Sequence, residues 1–517
     1  MSVPWLDLPD EVWEIILGYL NVRSLLKASE TCSKFNNVMG KSNKLMKMIR
    51  LSIVISVNYF LEGYHGDQNK LKCYRQIKAL KENLKMSGRN YQNSGLSLLG
   101  RHRGWSVPLD TIMTDILMEI CEIFQIFSES IIDFQIEQCN IENKVFTKII
   151  RIFGNLQKCL IDDTEIYGDD SDLSLKLPKL EDISLRPVEG IMIKNLLHSF
   201  DNLKKLEIVD YAYRVDVQIE EFFKNLLLKH YNLKIFHVKY PEIFGLNVLP
   251  NTEFSLESLS LKCSKWKNMD HAENFFKKQT HLKDIHLELH DNTEGLNFRY
   301  TDILKDIFNL NQNLTDIIIQ IYFEVENVKI LNGIYRPKVK SLSFESSVVN
   351  SDLFAALVKM CPKVKNLAYR SELMNIDRAA ISTLAELEFL KISSEKESIQ
   401  DLIICSERFS KVSIMSYIQD DEIKLFLSNH KAIEHLIIQN MTVSHGLCEY
   451  IVNCLPNLRS FVFFELETET LQLLLTLKYL RCLKTTSVER MNKQVKQICS
   501  SAGIEIELTE REYEFHL

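Results

Sequence analysis

The sequence predicts an α/β chain: a small helical module at the N-terminus, then a curved solenoid of short parallel strands and helices. Three observations lead there. The opening segment is apolar around more of its helix than a small unit can hide, an apolar triplet recurs along most of the chain, and the composition is that of a folded protein. At 517 residues the chain exceeds the size at which one compact core keeps growing. Hydrophobic residues make up 46% and charged residues 25%, and 16 Gly with 10 Pro are too few for a long disordered region. The formal net charge of −7 argues against a surface built throughout to neutralise phosphates, so nucleic acid is not the expected partner. The N-terminus has no basic and apolar leader, and no segment reaches the roughly 18 apolar residues of a membrane span. An intracellular chain, cytoplasmic or nuclear, is expected. Twelve Cys are scattered with no CxxC, so they read as buried thiols in a reducing compartment, not as zinc or redox ligands.

The first element lies in LPDEVWEIILGYLNVRSLLKASETCSKFNNV, residues 8 to 38. Pro9 suits a first helical turn, Asp10 and Glu11 place negative charge at the positive end of the helix dipole, and Asn21 is a stop. Val12, Ile15, Ile16, Tyr19 and Leu20 follow the spacing of a core-facing stripe, with Trp13 and Leu17 on the neighbouring flank. Together they cover an arc of roughly 200°, about twice an ordinary amphipathic stripe. Leu25, Ala28, Cys32 and Phe35 form a second apolar stripe that covers one flank. The other flank is surplus, and in a unit of about 45 residues surplus apolar surface means docking.

Leu8-Pro9, Glu11-Val12, Ile15-Ile16, Tyr19-Leu20, Leu25-Leu26, Cys32 and Phe35-Asn36 resemble the F-box, with its LPxE opening and C-x-x-F close, over about residues 4 to 50. Two positions depart from that pattern: Asn21 replaces the usual acid after the first helix, and Leu45 and Met46 stand where a Trp is often found. The resemblance implies a trihelical module that binds a Skp-type adaptor and so tethers the chain to a cullin-based ubiquitin ligase. It also implies an adaptor site at Leu8, Pro9, Glu11, Val12, Trp13, Ile15, Ile16, Leu17, Leu20, Leu25 and Leu26.

The next element, over 51–90, is expected to be a helical linker. Residues 70 to 103 hold nine Lys or Arg and a single acid, Glu82. On a helix from about Arg75, Lys78, Lys81 and Lys85 share one face and Ile77, Leu80 and Leu84 another. A phosphate or acidic-partner site and a solvated linker face are both open readings.

From 91 to 508 an apolar triplet at i, i+3 and i+5 keeps returning. It reads Leu180, Ile183, Leu185; Leu203, Leu206, Ile208; Leu256, Leu259, Leu261; Leu282, Ile285, Leu287; Leu314, Ile317, Ile319; Val339, Leu342, Phe344; and Val364, Leu367, Tyr369. About fifteen copies recur at a mean spacing of roughly 25 residues. The end of each triplet alternates like a strand, while linking segments such as SDLFAALVKMCPKV have helical spacing. One strand and one helix cannot cover their own apolar face, so neighbours stack into one core. The segment YQNSGLSLLG is expected to open the solenoid and GIEIEL to close it. This part resembles the leucine-rich-repeat receptors that follow an F-box, and CPxVxxL at Cys361 to Leu367 is similar to their cysteine-containing variety. The Asn or Cys usual three residues beyond the strand is mostly missing, with Cys139 one of few that fit.

In such a solenoid the polar strand positions line the concave face. Early copies mix signs, with Asp133, Glu137, Asp182, Glu207, Asp284, Glu288, Asp316 and Glu345 among Lys158, Lys205, Lys239 and Lys262. From Val364 onward acids vanish, and the face reads Arg370, Phe389, Lys391, Lys411, Met415, His435, Ile437, Val462, Phe464 and Lys484. Apolar anchors among cations suit a protein substrate carrying acids or phosphate. A one-residue slip in register would instead turn some of these side chains into the core. The tail TEREYEFHL, residues 509 to 517, either lies across that face or is a disordered end.

No Gly-rich phosphate loop, nucleophile elbow, HExxH or paired-carboxylate signature occurs, so no catalytic residue, metal or cofactor is expected. His281, His286 and His290 read as dispersed imidazoles, and DDSD at 169 to 172 lacks the Gly of a calcium loop. The chain reads as a non-catalytic substrate receptor of a ubiquitin ligase. Still open are a non-degradative scaffold and a phosphate or nucleic-acid binder acting through the basic segment.

Overall fold

The structure is a computed structural model. It describes residues 8–48, 50–56, 75, 78–79, 82, 93–99, 125, 129–137, 139–162, 164–167, 177–186, 188–189, 202–208, 227–238, 255–263, 269–290, 299–348, 350–371, 378–394, 410–416, 419–466, 468–485 and 505–508. The chain divides into two compact units, residues 1–244 with 252–254 and residues 255–517 with 245–251.

The first unit opens with helices α1 (Asp10–Leu17), α2 (Val22–Thr31), α3 (Ser33–Lys41) and α4 (Asn43–Met48). Pro9 precedes α1 in extended backbone. Side chains then cap each later start. Asn21 Oδ1 accepts from the Ser24 amide at 2.9 Å, Cys32 Sγ from the Phe35 amide at 3.4 Å, and Ser42 Oγ from the Leu45 amide at 3.1 Å. Each occupies a donor that the helix itself leaves unsatisfied. Asn21 therefore opens α2 and does not merely stop α1. Ser42, extended at φ −79° and ψ 112°, splits the expected third helix into two.

The same unit continues with strands β1 (Arg50–Ser56), β2 (Asn93–Leu99), β3 (Ile131–Glu137) and β4 (Asn140–Glu142), and helix α5 (Asn143–Ile152). Strands β5 (Lys158–Asp162), β6 (Thr164–Tyr167), β7 (Asp182–Leu185), β8 (Val188–Glu189), β9 (Lys205–Ile208) and β10 (Ile235–Val238) follow. β1, β2, β3, β5, β7, β9 and β10 form one parallel sheet in that order. β4, β6 and β8 form a second, smaller parallel sheet. The expected start of the strands at 91 is corrected: RLSIVIS, with Ile53, Val54 and Ile55 in sequence, pairs as β1 with β2, so the sheet opens at Arg50. Within the expected linker helix, Arg75, Lys78, Ala79 and Glu82 are helical and exposed. Lys81, Lys85, the DDSD segment and the tail from residue 509 lie outside the described residues.

The second unit alternates strands with helices: β11 (Ser258–Cys263), α6 (Met269–Lys278), β12 (Asp284–Leu289), α7 (Arg299–Leu310), β13 (Asp316–Ile321), β14 (Ser341–Ser346), α8 (Ser351–Met360), β15 (Asn366–Ser371), α9 (Arg378–Ser382) and β16 (Phe389–Ser394). It ends with β17 (Lys411–Ser416), α10 (Asp420–Ser428), β18 (His435–Val443), α11 (His445–Cys454), β19 (Ser460–Leu466), α12 (Thr468–Leu474), β20 (Cys482–Thr485) and β21 (Glu505–Leu508). β11 to β21 pair in chain order, all parallel. Leu259, Ile285, Ile317, Leu342, Leu367, Leu390, Val412, Leu436, Phe461 and Leu483 stand in one row across the sheet. Every triplet residue named above is buried, Tyr369 being the most accessible at 6%. The fold class is therefore the one the sequence predicts, an N-terminal helical module followed by a solenoid of parallel strands.

Buried amides tie successive repeats together at a position that the triplet pattern does not mark. Gln279 Oε1 accepts from the Leu256 amide at 3.0 Å. Asn311 Oδ1 accepts from the Leu282 amide at 2.8 Å, while its Nδ2 donates to the carbonyls of Gln279 at 2.8 Å and Ile307 at 2.9 Å. His230 Nδ1 accepts from the Leu203 amide at 3.4 Å in the first unit. Each ring or amide stands three residues before the first apolar residue of a triplet and bonds the backbone of the repeat before it. Arg336 adds a cap of another kind, its Nε donating to the Phe308 carbonyl of α7 at 2.5 Å. Asn311→Ala is expected to lower the unfolding free energy by about 1–3 kcal/mol, since it leaves the buried Leu282 amide and the Gln279 carbonyl without their side-chain partner, while the Ile307 carbonyl still accepts from the main-chain amide of residue 311. Urea unfolding checks this, and a loss under about 0.5 kcal/mol would show that the ladder contributes little.

Candidate docking surfaces

In the N-terminal module, α1 turns Trp13 and Leu17 inward against Leu25, Val38, Met39, Leu45 and Met46. The Trp13 ring meets Phe35 at 4.6 Å between centroids, tilted by 58°. Val12, Ile15, Ile16 and Tyr19 point outward and are 37%, 56%, 42% and 86% exposed. The outer face of α1, with Tyr19 two residues beyond its end, is left uncovered among the described residues and is the surplus the sequence implies, but on the opposite flank.

Several assignments are corrected accordingly. Trp13, Leu17 and Leu25, expected at the adaptor site, are core residues, and Tyr19, expected to face the core, lies just past the end of α1 and is exposed. Leu8, Leu20 and Leu26 are half-buried against that core, while Pro9 and Glu11 are exposed beside Val12, Ile15 and Ile16. The reason is area. Trp13 is the largest apolar side chain of α1, and α3 and α4 supply four buried partners for it that the pairing of α1 with α2 alone did not include. Asp10 holds Lys34 of α3 at 2.5 Å, and this hydrogen bond keeps the Asp10 carboxyl below its usual pKa.

In the second unit, side chains that alternate with the buried row occupy the other face of the sheet. Parallel pairing sets Asn366, Phe389, Lys411, His435, Ser460 and Cys482 in one line, and Ala368, Lys391, Ser413, Ile437, Val462 and Lys484 in the next. Arg370, Phe389, Lys391, Met415, His435, Ile437, Phe464 and Lys484 are half-buried and Lys411 is exposed, so no slip has turned them into the core. Val462 is the correction, buried where an accessible side chain was expected. A short side chain in register between Ile437 and Lys484 is shaded by its larger neighbours. Lys411 Nζ sits 4.6 Å from the centroid of the Phe389 ring, a cation–π contact.

The earlier strands carry polar side chains that satisfy one another. Gln320 bridges His286 at 3.1 Å and Glu345 at 2.7 Å, Glu345 pairs with Arg370 at 3.0 Å, and Glu288 pairs with His290 at 2.6 Å. In the first unit Lys205 lies 3.7 Å from Asp182 and 3.2 Å from Glu207. His281 contacts Thr280 and Ser255, so the three histidines have separate partners. Cys139 donates to the Glu137 carbonyl at 3.1 Å and its amide reaches Thr164 Oγ1 at 3.4 Å. Burial pushes the thiols of Cys159, Cys361 and Cys448 up to about 12, so they stay protonated and unreactive. Among the described residues no cluster of His, Cys, Asp or Glu is arranged to hold a metal, and no helix is long and apolar enough to cross a membrane.

Two measurements test this geometry. Trp13→Ala is expected to destabilise the module by about 3–5 kcal/mol, whereas Ile15→Glu on the outward face is expected to leave its stability within about 0.5 kcal/mol. Equal losses in thermal unfolding would contradict the inward and outward assignments. The second concerns Asp284 and Asp316, whose carboxylates share the Thr315 hydroxyl at 3.2 Å and 2.6 Å although it has one proton to donate. Burial, and then hydrogen bonding to and repulsion from Asp316, raise the Asp284 pKa. The folded chain thus holds this proton more tightly than the unfolded chain, and ionised Asp284 opposes folding above its raised pKa. Asp284→Asn should raise Tm at neutral pH, and the gain should vanish once the pH falls below the ordinary carboxylate range.

Comparison with known proteins agrees with this geometry at the N-terminus. No curated protein matches the chain. Among solved structures, a protein from Bacteroides fragilis is 13% identical, with a TM-score of 0.31 over 52% of this chain and 77% of that one. The TLR13-ssRNA13 complex is 12% identical, with a TM-score of 0.30 over 90% of this chain and 62% of the TLR13 chain. The family model of the F-box domain matches residues 5–47, the segment that contains α1 to α3 and the exposed apolar face of α1. Residues 5–47 are an F-box domain.

Proposed function

We propose that this chain is the substrate-recognition subunit of a Skp–cullin–F-box ubiquitin ligase. The F-box binds the Skp-type adaptor, and the repeats, read as leucine-rich repeats, hold a protein target. The exposed stripe Val12, Ile15, Ile16 and Tyr19 within the F-box match carries this reading. Full burial of one such aliphatic side chain stabilises a contact by roughly 1.5–3 kcal/mol, so the stripe supplies enough apolar area for specific association.

The chain contributes position, not bond chemistry. Holding a target near a separate conjugating enzyme raises the effective concentration of its lysines at the thioester. The reacting nitrogen and the thioester both belong to other proteins. The cytoplasm or nucleus is the compartment this reading requires.

The double variant Ile15→Glu with Ile16→Glu keeps the core residues of α1 and charges only its outward face. Affinity for a Skp-type adaptor, measured by calorimetry on the full chain, is expected to fall at least about thirtyfold, which is about 2 kcal/mol. Unchanged affinity in a folded double variant would remove the adaptor-binding reading. If the adaptor binds and captured targets do not accumulate on proteasome block, the chain is a non-degradative scaffold.

A further inference from the structure

The open face of β15 to β20 differs from the rest of its sheet in charge. Among the described face positions of these strands there is no Asp or Glu, while Arg370, Lys391, Lys411 and Lys484 provide cations and His435 a titratable base, with acids returning only on β21, where Glu507 stands in register with Lys484. The acids at the strand entrances are met by cations on the neighbouring strand: Glu388 by Lys365 at 2.5 Å and Glu434 by Arg459 at 3.2 Å. Glu345, on β14, pairs with Arg370 and closes the acid-rich half of the face. Phe389, Met415, Ile437 and Phe464 stand among the cations, and none of them is fully buried.

We infer that this face takes an anionic peptide segment, bearing carboxylate or phosphate groups around an apolar anchor and lying across the strands. The inference rests on the repeats holding a protein target. Charge complementarity selects the occupant: Arg370, Lys391, Lys411 and His435 stand on four consecutive strands in neighbouring rows and match acidic side chains of a segment that crosses them, and the half-buried Phe389 and Met415 beside them match an apolar one. Length agrees as well. Five interstrand steps of about 4.8 Å span about 24 Å, the reach of about seven extended residues at about 3.3 Å each.

His435 reports the occupant directly. Burial lowers its pKa below the ordinary imidazole value, Lys411 and Arg459 lower it further, and Glu434 opposes them. An anion placed between Lys411 and His435 would neutralise the first of these cations and favour the imidazolium.

The test pans displayed random dodecapeptides on the full-length chain and on its K391E/K411E/K484E variant. Enriched peptides are expected to hold an excess of Asp and Glu flanking an apolar residue. The most enriched, made synthetically, should bind the variant at least about tenfold more weakly and weaken with added salt. Replacing one of its Glu by phosphoserine assigns the anion: tighter binding indicates phosphate, weaker binding carboxylate, both within the proposal. Absence of enriched peptides, enrichment without an acid excess, or equal binding to the variant would overturn it, as would preferential binding of single-stranded polyuridylate at this face. Should the triple variant fold poorly, proton titration of His435 in the unaltered chain decides: the bound peptide must raise its pKa, and no change rejects the proposal. Adaptor affinity measured on the same samples separates the two readings, because the charge-reversed positions lie outside the F-box.

Discussion

Parallel register is the constraint on which the second unit depends. From β11 to β17 each strand meets the next without a slip, so a residue's place in its own triplet fixes its neighbours on both sides. Side chains alternate in period two, and one slip would exchange the core and the open face of every later strand. The row from Leu259 to Leu483 shows that the exchange does not occur, even though the pairing of β18 with β19 shifts between Ile438 and Thr442. Because the apolar row is shared between repeats, no repeat is stable alone, and the open face inherits its order from the core behind it.

The F-box follows a different logic, because its surplus is local. A helix apolar over half its circumference can present either flank to its neighbours, and periodicity gives the width of the arc without its direction. Direction is set by which flank the partners can cover. Val38, Met39, Leu45 and Met46 close around Trp13 and Leu17, leaving Ile15 and Tyr19 in water. The position where a Trp was expected late in the motif is filled by the fully buried Leu45 and Met46, so the aromatic volume comes from α1 instead.

This contrast marks what was legible. The triplets from Leu180 to Tyr369 were readable because an apolar residue at a fixed spacing has one plausible place, the shared core. The face positions from Phe389 to Lys484 followed from the same alternation. The corner sheet of β4, β6 and β8 was not readable, since strands of two to four residues leave too short a pattern. Gln279 and Asn311 were missed for another reason: their partners lie a whole repeat away, and a buried amide looks in sequence like any polar loop residue. A polar residue three places before the next strand's first apolar residue, as at His230, Gln279 and Asn311, was the available signal, but Leu177 and Cys361 hold the same place elsewhere, so it does not recur in every copy. β1 was hidden by an assumption that strands begin where the triplets do, although Ile53, Val54 and Ile55 already favoured a strand.

Net charge sets the range over which the cationic face can act. The chain carries −7 overall, so an acidic segment approaching from afar meets weak repulsion. At physiological ionic strength that field decays over about 8 Å, which is shorter than the face itself. Within that distance Lys391, Lys411 and Lys484 dominate, and the rings and thioether around them supply contact area that salt does not screen. Selection therefore occurs on contact and not by long-range steering. Such a surface favours a segment that places anions and an apolar side chain together over one that is merely acidic, because charge alone gains little where half-exposed cations stay solvated. The apolar anchor sets the residence time and the anions set the register, so losing either should shorten the complex more than it slows the encounter.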